Sequence, residues 1–235
     1  LKVSFVGEEG VDEGGVKKEF FQLLCAQLFD FTYGMFRGTE SGREVWFSPS
    51  RGPSFGSDDS QEYQLVGVLV GLAIYNSVLL DLHFPLVAYK KLLGLPVGFA
   101  DLKELDAEMG EGLQKLLEWK EEGGGERGSG GGKVEDVFGL CFEVDWVEFG
   151  EVRRHELVEG GRGLEVTAAN RQDYVRLYVE WVLDGSIRKS FEEFKSGFDR
   201  VMGGSSISLL KPEELMLLVC GTPHLNLREL EAVAR

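Results

Sequence analysis

The chain has 235 residues, of which 43% are hydrophobic and 11% aromatic, a composition typical of a globular protein with a sizeable core. Forty acidic residues against 25 basic ones give a formal net charge of −15, which argues against binding of nucleic acid through its phosphates. The same charge would favour the approach of a basic face on a protein partner.

The three cysteines, Cys25, Cys141 and Cys220, lie far apart and form neither a CxxC pair nor a zinc-ligand spacing. Each follows an apolar residue, so we expect buried thiols in a reducing compartment, in the cytoplasm or the nucleus. No signal-peptide pattern comes before the first strand pattern, and we expect the chain to be an excised piece of a longer protein.

The N-terminal quarter alternates between loop and periodic segments. Residues 1–6, LKVSFV, predict a short strand, and the acidic glycine-rich stretch 7–15 is interpreted as a turn because its carboxylates would repel a phosphate. Glu44–Ser48 predicts a second strand, and Pro53–Ser60 predicts a loop. Between the glycine-rich turn and the second strand, Val16–Asp30 has helical periodicity, with these residues expected to be buried: Val16, Phe20, Leu23, Leu24 and Leu28.

The segment Tyr63–Leu82 is apolar around nearly its whole helical circumference, which predicts a helix buried on most sides. Gly67 and Gly71 are spaced so that another backbone could approach closely. The same spacing occurs in membrane helix dimers. However, the uninterrupted apolar run covers only Leu65–Tyr75, whereas a membrane span needs about 20 residues. The segment is therefore predicted to be a core helix.

The second half predicts short helices, then strands, then long helices. A helix is expected from Pro85 to Gly94, and Asp101 and Asp106 are expected to cap two more. Ten residues from Gly123 include seven glycines, and a disordered loop is expected over 123–133. The remaining expected segments are strands at 140–146, 152–158 and 164–166, and helices at 168–185 (capped by Thr167), 186–202, 212–221 and 227–235. The fold class is α+β, mainly helical.

The sequence contains no convincing catalytic centre. Cys25 and Cys220 sit in apolar helical surroundings, and only Cys141 has a chance of the exposure that a reactive thiol needs. The histidines are isolated, and GxSxG, HExxH and GxGxxG motifs are absent from the sequence.

A binding surface is easier to argue. Met109, Leu113, Leu116 and Trp119 recur at helical spacing beside the glycine-rich loop. One interpretation is that this stripe packs on the chain's own sheet. The other is an exposed groove, because Met, Leu, Phe and Trp are the expected lining of a protein-recognition surface.

Several blocks resemble one known family. LKVSFVGEEGVDEGGVKKEFF looks like the start of the catalytic domain of HECT-type ubiquitin ligases. The resemblance continues, in family order, through VGVLVGLAIYNSVLLDLHFPLVAYKKLLG, ELVEGGRGLEVTAANRQDYVRLY, FKSGFDRVM and KPEELMLLVCG, and it covers essentially the whole chain. The Gly-Glu-Glu-Gly-Val-Asp-x-Gly-Gly and Val-Thr-x-x-Asn-Arg blocks are distinctive together.

The resemblance implies the N-terminal lobe of a HECT domain. A large helical subdomain, placed at 1–93 and 171–235, would carry a small α/β subdomain, placed at 94–170, that docks a ubiquitin-charged conjugating enzyme. A separate C-terminal lobe would hold the cysteine that takes ubiquitin as a thioester and passes it to a substrate lysine, without cofactor or metal. That cysteine follows a Thr in the family, and none of the three here does. The fragment alone is therefore expected to be inactive.

The docking groove of the family can be placed on this chain by position. Two departures stand out. Better-known members have a serine and an acid where this chain has Gly112 and Lys115, and the glycine-rich loop beside the groove is longer than is usual in the family. The residues implied to contact the conjugating enzyme are Met109, Gly112, Leu113, Lys115, Leu116 and Trp119 on a helix, Phe138 and Leu140 on a strand side, and Tyr174 on the following long helix.

Other functions remain open at the level of sequence. The same fold could act as a non-catalytic interaction module, or could also bind free ubiquitin noncovalently, as some members do. The expected partners are thus a conjugating enzyme, ubiquitin and protein substrates, the last through regions outside these 235 residues. Neither nucleic acid nor a membrane is expected to be a partner. An unrelated helical scaffold is the remaining alternative.

Overall fold

The structure, a computed structural model, describes residues 2–7, 15–39, 42, 44–49, 60–121, 131–148, 150–203 and 206–222. It is a mainly helical α+β protein, as predicted. Within these residues the helices are α1 (Gly15–Leu28), α2 (Ser60–Tyr75), α3 (Leu86–Leu92), α4 (Phe99–Leu105), α5 (Ala107–Glu118), α6 (Val134–Phe138), α7 (Arg171–Glu180), α8 (Arg188–Met202) and α9 (Pro212–Cys220). The strands are β1 (Phe36–Gly38), β2 (Val45–Phe47), β3 (Glu143–Glu148) and β4 (Glu151–Glu156).

The chain divides into two compact units. The first unit comprises Leu1–Leu95 and Lys189–Arg235, and the second comprises Pro96–Arg188. The first boundary lies two residues from the one expected from sequence, 93/94. The second lies at 188/189 rather than at 170/171, because α7 packs against α4 and α5 and so belongs with the second unit.

Aromatic rings fill the core of the first unit. Phe47 of β2 stacks on Phe84 with ring centroids 5.7 Å apart and planes 6° apart, and Phe194 of α8 meets it edge-on at 5.4 Å. β1 and β2 pair in antiparallel fashion, with Phe36 opposite Phe47. All four rings are at most 2% exposed, so this short sheet serves to place aromatic side chains in the core.

Two helices of the first unit cross at glycines. A Cβ on Gly67 of α2 would collide with the carbonyl oxygen of Phe194 and would lie 2.7 Å from the amide nitrogen of Phe198. From the other side, a Cβ on Gly197 of α8 would lie 2.8 Å from the carbonyl carbon of Gln64. The close backbone approach is thus confirmed at Gly67, whereas a Cβ on Gly71 would meet the side chain of Val201 at 2.8 Å. α2 is largely buried, as its composition indicated, but it ends at Tyr75 and not at Leu82.

The second unit combines a hairpin with short helices. β3 and β4 pair in antiparallel register from Glu143 opposite Glu156 to Glu148 opposite Glu151. α7 continues directly into a π-helix, Trp181–Gly185. The imidazole of His155 on β4 stacks on the indole of Trp181, with ring centroids 5.4 Å apart. The indole of Trp146 on β3 meets the same ring at 5.2 Å.

Some local predictions were wrong. Residues 2–7 form no strand in the structure, and they lack a ladder partner among the described residues. α1 buries Phe21 and Cys25, whereas Leu23, which was expected to be buried, is 51% exposed. The apolar residues of α1 form two adjacent stripes, and the stripe predicted from sequence is not the one that is buried. Asp101 accepts a hydrogen bond from the amide of Gly98 at 2.8 Å from inside the first turn of α4 and does not precede the helix.

Other elements differ at their ends or were missed. α7 begins at Arg171 and not after Thr167, because Asn170 folds back on Thr167 in a turn. α6 was not expected, and it places Phe138 on a helix instead of a strand. The predicted segments at 8–14, 53–59, 122–130 and 227–235 lie outside the described residues.

Candidate functional site

Helix α5 presents one buried and one open side. It begins at its N-cap Asp106, whose carboxylate accepts a hydrogen bond from the amide of Met109 at 2.8 Å, as predicted. Leu113 and Leu116 are 3% and 0% exposed and form the inner side. Gly112 lies on the open side, where a Cβ would meet no atom within 4 Å.

Trp119 closes α5 and is fixed by three contacts. Its Nε1 donates a hydrogen bond to the carbonyl oxygen of Gly132 at 3.0 Å. The ring of Phe138, the last residue of α6, meets it edge-on with centroids 5.5 Å apart and planes at 90°. Gly131 packs so closely that a Cβ there would lie 2.8 Å from Cε2 of the indole. Trp119 as a whole residue is nevertheless only half-buried.

Arg171, the first residue of α7, binds the C-terminal end of α5. Its Nη1 donates hydrogen bonds to the carbonyl oxygens of Leu116, at 3.1 Å, and of Trp119, at 2.6 Å. Carbonyls in the last turn of a helix lack partners within the helix, and a cation is favoured there. The guanidinium therefore acts as the C-terminal cap of α5.

Tyr174 lies beneath this surface. It is 3% exposed, and the ring of Phe142 meets it edge-on at 5.4 Å. Burial raises the pKa of the Tyr174 hydroxyl well above its ordinary value, and the nearby Tyr178 and Cys141 act in the same direction. The side chain is therefore neutral throughout the physiological range.

The nine residues expected at the docking groove fall into two groups. Leu113, Leu116 and Tyr174 are enclosed by atoms of this chain. The remaining six have side chains or positions that are half-buried or exposed: Met109, Gly112, Lys115, Trp119, Phe138 and Leu140.

No contact was predicted for Gly131, Gly132 or Arg171, although all three contact Trp119 in the structure. Arg171 stood in the Val-Thr-x-x-Asn-Arg block, which was the available signal for its importance. Nothing in the sequence alone relates it to a residue 52 positions earlier.

Two of the three cysteines, Cys25 and Cys220, lie in surroundings that make a thiol unreactive. Burial raises the pKa of the Cys25 thiol to about 11, and the charge of Asp81 adds to the shift. Burial also raises the pKa of Cys220. Cys141 is half-buried, and its backbone forms an isolated bridge with Glu165.

Among the described residues, no three His, Cys, Asp or Glu side chains are grouped so as to hold a metal ion. Nor is any described helix both long enough and apolar enough to span a membrane.

Comparison with known proteins gives one consistent family. Residues 22–235 match the model of the HECT domain, described as a ubiquitin-transferase domain. The chain is 41% identical to the probable E3 ubiquitin-protein ligase HERC4 of Homo sapiens, over 98% of this chain and 20% of that protein. It is also 41% identical to the probable E3 ubiquitin-protein ligase HECTD2 of Homo sapiens, over 98% of this chain and 30% of that protein.

A fungal protein, the probable E3 ubiquitin-protein ligase mug30 of Schizosaccharomyces pombe, is 37% identical over 94% of this chain and 26% of its own length. The chain thus spans between a fifth and a third of the length of these relatives. With nearly its whole length matched to one domain type, the chain belongs to the HECT family of ubiquitin-transferase domains.

Proposed function

We propose that this chain is the docking part of a HECT-type ubiquitin ligase, which binds a ubiquitin-charged conjugating enzyme on the open side of α5. The docking face consists of Met109, Gly112, Lys115, Trp119, Phe138 and Leu140. The observation that carries the proposal is that Trp119 is only half-buried while its indole is held at the end of α5 by Gly132 and Phe138.

The spacing on α5 supports one continuous face. Gly112, Lys115 and Trp119 follow one another at intervals of three and four residues, which places them on the same side of a helix. Gly112 leaves room for a partner side chain, since no atom lies within 4 Å of its Cβ position. Aromatic anchors in the centre of an interface can contribute about 2 kcal/mol or more, so Trp119 would be the main contact.

The buried residues have a different role in this proposal from the one that the family resemblance implied. Leu113, Leu116 and Tyr174 support the docking face from within and do not receive a partner loop between them. A substitution at these positions would change folding before it changed recognition.

Ubiquitin would then pass from the conjugating enzyme to a cysteine on a separate lobe, and from there to a substrate lysine. The cysteines of this chain do not suit that step, since they follow Leu24, Leu140 and Val219 and not a Thr. Burial also raises the pKa of Cys25 to about 11, which leaves little thiolate at neutral pH.

This chain alone should therefore form no thioester with ubiquitin. The measurement is incubation with charged conjugating enzyme, followed by electrophoresis with and without reductant. A ubiquitin adduct that reductant removes and that Cys141→Ala abolishes would contradict the expectation. The ligase would be established as a complete enzyme if a longer form of the protein carried a Thr-Cys pair in a C-terminal lobe. Its absence there would favour a non-catalytic interaction module.

We expect micromolar or weaker affinity, because the conjugating enzyme must leave after transfer. This corresponds to a binding free energy of about −8 kcal/mol or one less favourable. The net charge of −15 would steer a basic face of the partner, so the association rate should fall as salt is added.

The experiment is a titration of the chain with a panel of ubiquitin-conjugating enzymes, followed by amide chemical shifts. Gly112→Arg would place a bulky side chain on the docking face without any contact to disturb the fold. Ala107→Arg is the matched control, because it adds the same charge at an exposed position about 140° away around α5. Trp119→Ala removes the anchor.

We expect Gly112→Arg and Trp119→Ala each to weaken binding at least about tenfold, and Ala107→Arg to leave it unchanged. Binding that both docking-face variants leave intact would place the interface elsewhere on the molecule.

A further inference from the structure

Arg171, which caps the C-terminus of α5, binds the backbone of Trp119 directly. The shorter of its two hydrogen bonds, 2.6 Å, goes to the carbonyl oxygen of Trp119, and the other, 3.1 Å, goes to that of Leu116. Trp119 is the C-cap residue of α5 and has non-helical ψ of 130°, so the guanidinium holds the point at which the chain leaves the helix.

The direction of Arg171 is set by the turn before it. The side-chain oxygen of Asn170 accepts a hydrogen bond from the amide of Thr167 at 2.7 Å, and its side-chain nitrogen donates to the carbonyl oxygen of Glu165 at 3.0 Å. The amide of Arg171 in turn donates to the carbonyl oxygen of Thr167 at 3.0 Å. These bonds fix the first residue of α7, and with it the origin of the arginine side chain.

The indole of Trp119 is held by contacts other than Arg171. Gly132 accepts its Nε1 hydrogen bond, and Phe138 packs against its face edge-on. Residues 131 and 132 adjoin a stretch, 122–130, that lies outside the described part of the chain. Arg171 adds a contact from the first residue of α7 to the backbone of Trp119.

We propose that Arg171 is a positioning residue for Trp119: by binding the two carbonyls it sets the orientation in which the docking face presents the indole. The part that concerns affinity rests on the function proposed above. This role explains the Thr-x-x-Asn-Arg sequence of residues 167–171, since the hydrogen bonds of Thr167 and Asn170 fix the backbone from which the side chain of Arg171 extends. Lysine is not an equivalent replacement, because both hydrogen bonds leave Nη1 and the ammonium of a lysine lies one bond nearer to its own Cα, short of that position.

The first test uses Arg171→Lys and follows the indole N–H resonances of the four tryptophans by NMR, with Trp119→Phe to assign the resonance of Trp119. Arg176→Lys is the matched control: Arg176 lies on the same helix, is exposed, and among the described residues forms its ion pairs with two surface acids, Asp173 and Glu180. We expect Arg171→Lys to shift the Trp119 resonance and to speed its exchange with solvent. The other three indoles should be unmoved, and the control should change nothing.

The second test is a double-mutant cycle on binding of a conjugating enzyme. Arg171→Lys should weaken binding about fivefold in the otherwise unmodified chain. In a Trp119→Ala background it should cause no further loss of affinity, because Arg171 affects binding only by orienting the indole. A general loss of structure would weaken binding in both backgrounds.

An unchanged Trp119 resonance, or a loss of affinity that adds to that of Trp119→Ala, would overturn the positioning role. If Arg171→Lys does not fold, Arg171→Gln takes its place, and failure of both to fold would make Arg171 a requirement of the whole fold and overturn the proposal as well. If the unmodified chain binds no conjugating enzyme, the docking function fails, while the NMR experiment still decides whether Arg171 positions Trp119.

Discussion

Two sets of helix glycines, one in each unit, have opposite surroundings. At the crossing of α2 and α8, Gly67 and Gly197 are buried because any side chain would meet the backbone of the other helix. In the middle of α5, Gly112 is exposed and faces open space. A glycine inside a helix costs about 0.5–1 kcal/mol relative to alanine. At Gly67 and Gly197 close packing offsets that cost, whereas at Gly112 no contact with the described residues does.

The largest effect should come from filling the crossing. Gly67→Ala should lower the free energy of unfolding by more than about 3 kcal/mol, because the new methyl group collides with the carbonyl oxygen of Phe194 and α8 would have to move away. Urea unfolding followed by circular dichroism measures this. Unchanged stability would mean that the two helices are not in contact at Gly67.

The inner side of α5 should behave like a core and not like a binding groove. Leu116→Ala removes a side chain that is 0% exposed, and it should cost about 3 kcal/mol of stability. The same urea experiment checks it. If instead the protein keeps its stability and loses only its affinity for a conjugating enzyme, Leu116 is a contact residue and the division of the nine site residues is wrong.

Thiol chemistry should separate the interior of the first unit from the second unit. With a pKa of about 11 against an ordinary value of 9.0, Cys25 has about one hundredth of the usual thiolate at pH 8. We therefore expect iodoacetamide to label Cys25 at least 100-fold more slowly than a free thiol. Because the thiolate fraction rises tenfold per pH unit up to that pKa, labelling should keep accelerating beyond pH 9. Mass spectrometry of peptides resolves Cys25 from the half-buried Cys141, which serves as the internal reference.

The smallest effect is a gain. Gly112→Ala should raise the free energy of unfolding by about 0.5–1 kcal/mol, because alanine favours the helix and its methyl group meets no neighbour. Gly67→Ala is the matched substitution with the opposite sign. A loss of stability at Gly112 would show that the open side of α5 is covered by another part of the chain.

The overall class and most helices could be predicted because their signals are local. α2, α3, α5 and α9 follow from apolar periodicity with capping or stop residues, and the Asp106 cap of α5 was identified in advance. α1 was placed correctly, but its apolar residues allow two faces, and only tertiary packing selects Phe21 and Cys25. The three-residue β1 carries Arg37 and Gly38, which give no alternating pattern.

The candidate site could be predicted only in part. The stripe on α5 was visible as a period, but a period does not say which side meets the rest of the chain. Leu113 and Leu116 proved to be the buried members, and Trp119 the partly open one. The cap from Arg171 was out of reach of sequence reasoning, because it joins residues more than fifty positions apart.

The π-helix at Trp181–Gly185 has a consequence for comparing relatives. A π-turn holds one residue more than an α-turn, so it amounts to a one-residue insertion retained inside a continuous helix. It interrupts the 3.6-residue period between α7 and the buried Val182, Leu183 and Ile187, which is why a single period over 168–185 described this segment poorly. Relatives that lack the turn should align with a one-residue gap at this point, and deleting one residue within 181–185 should restore a regular helix at the cost of that burial.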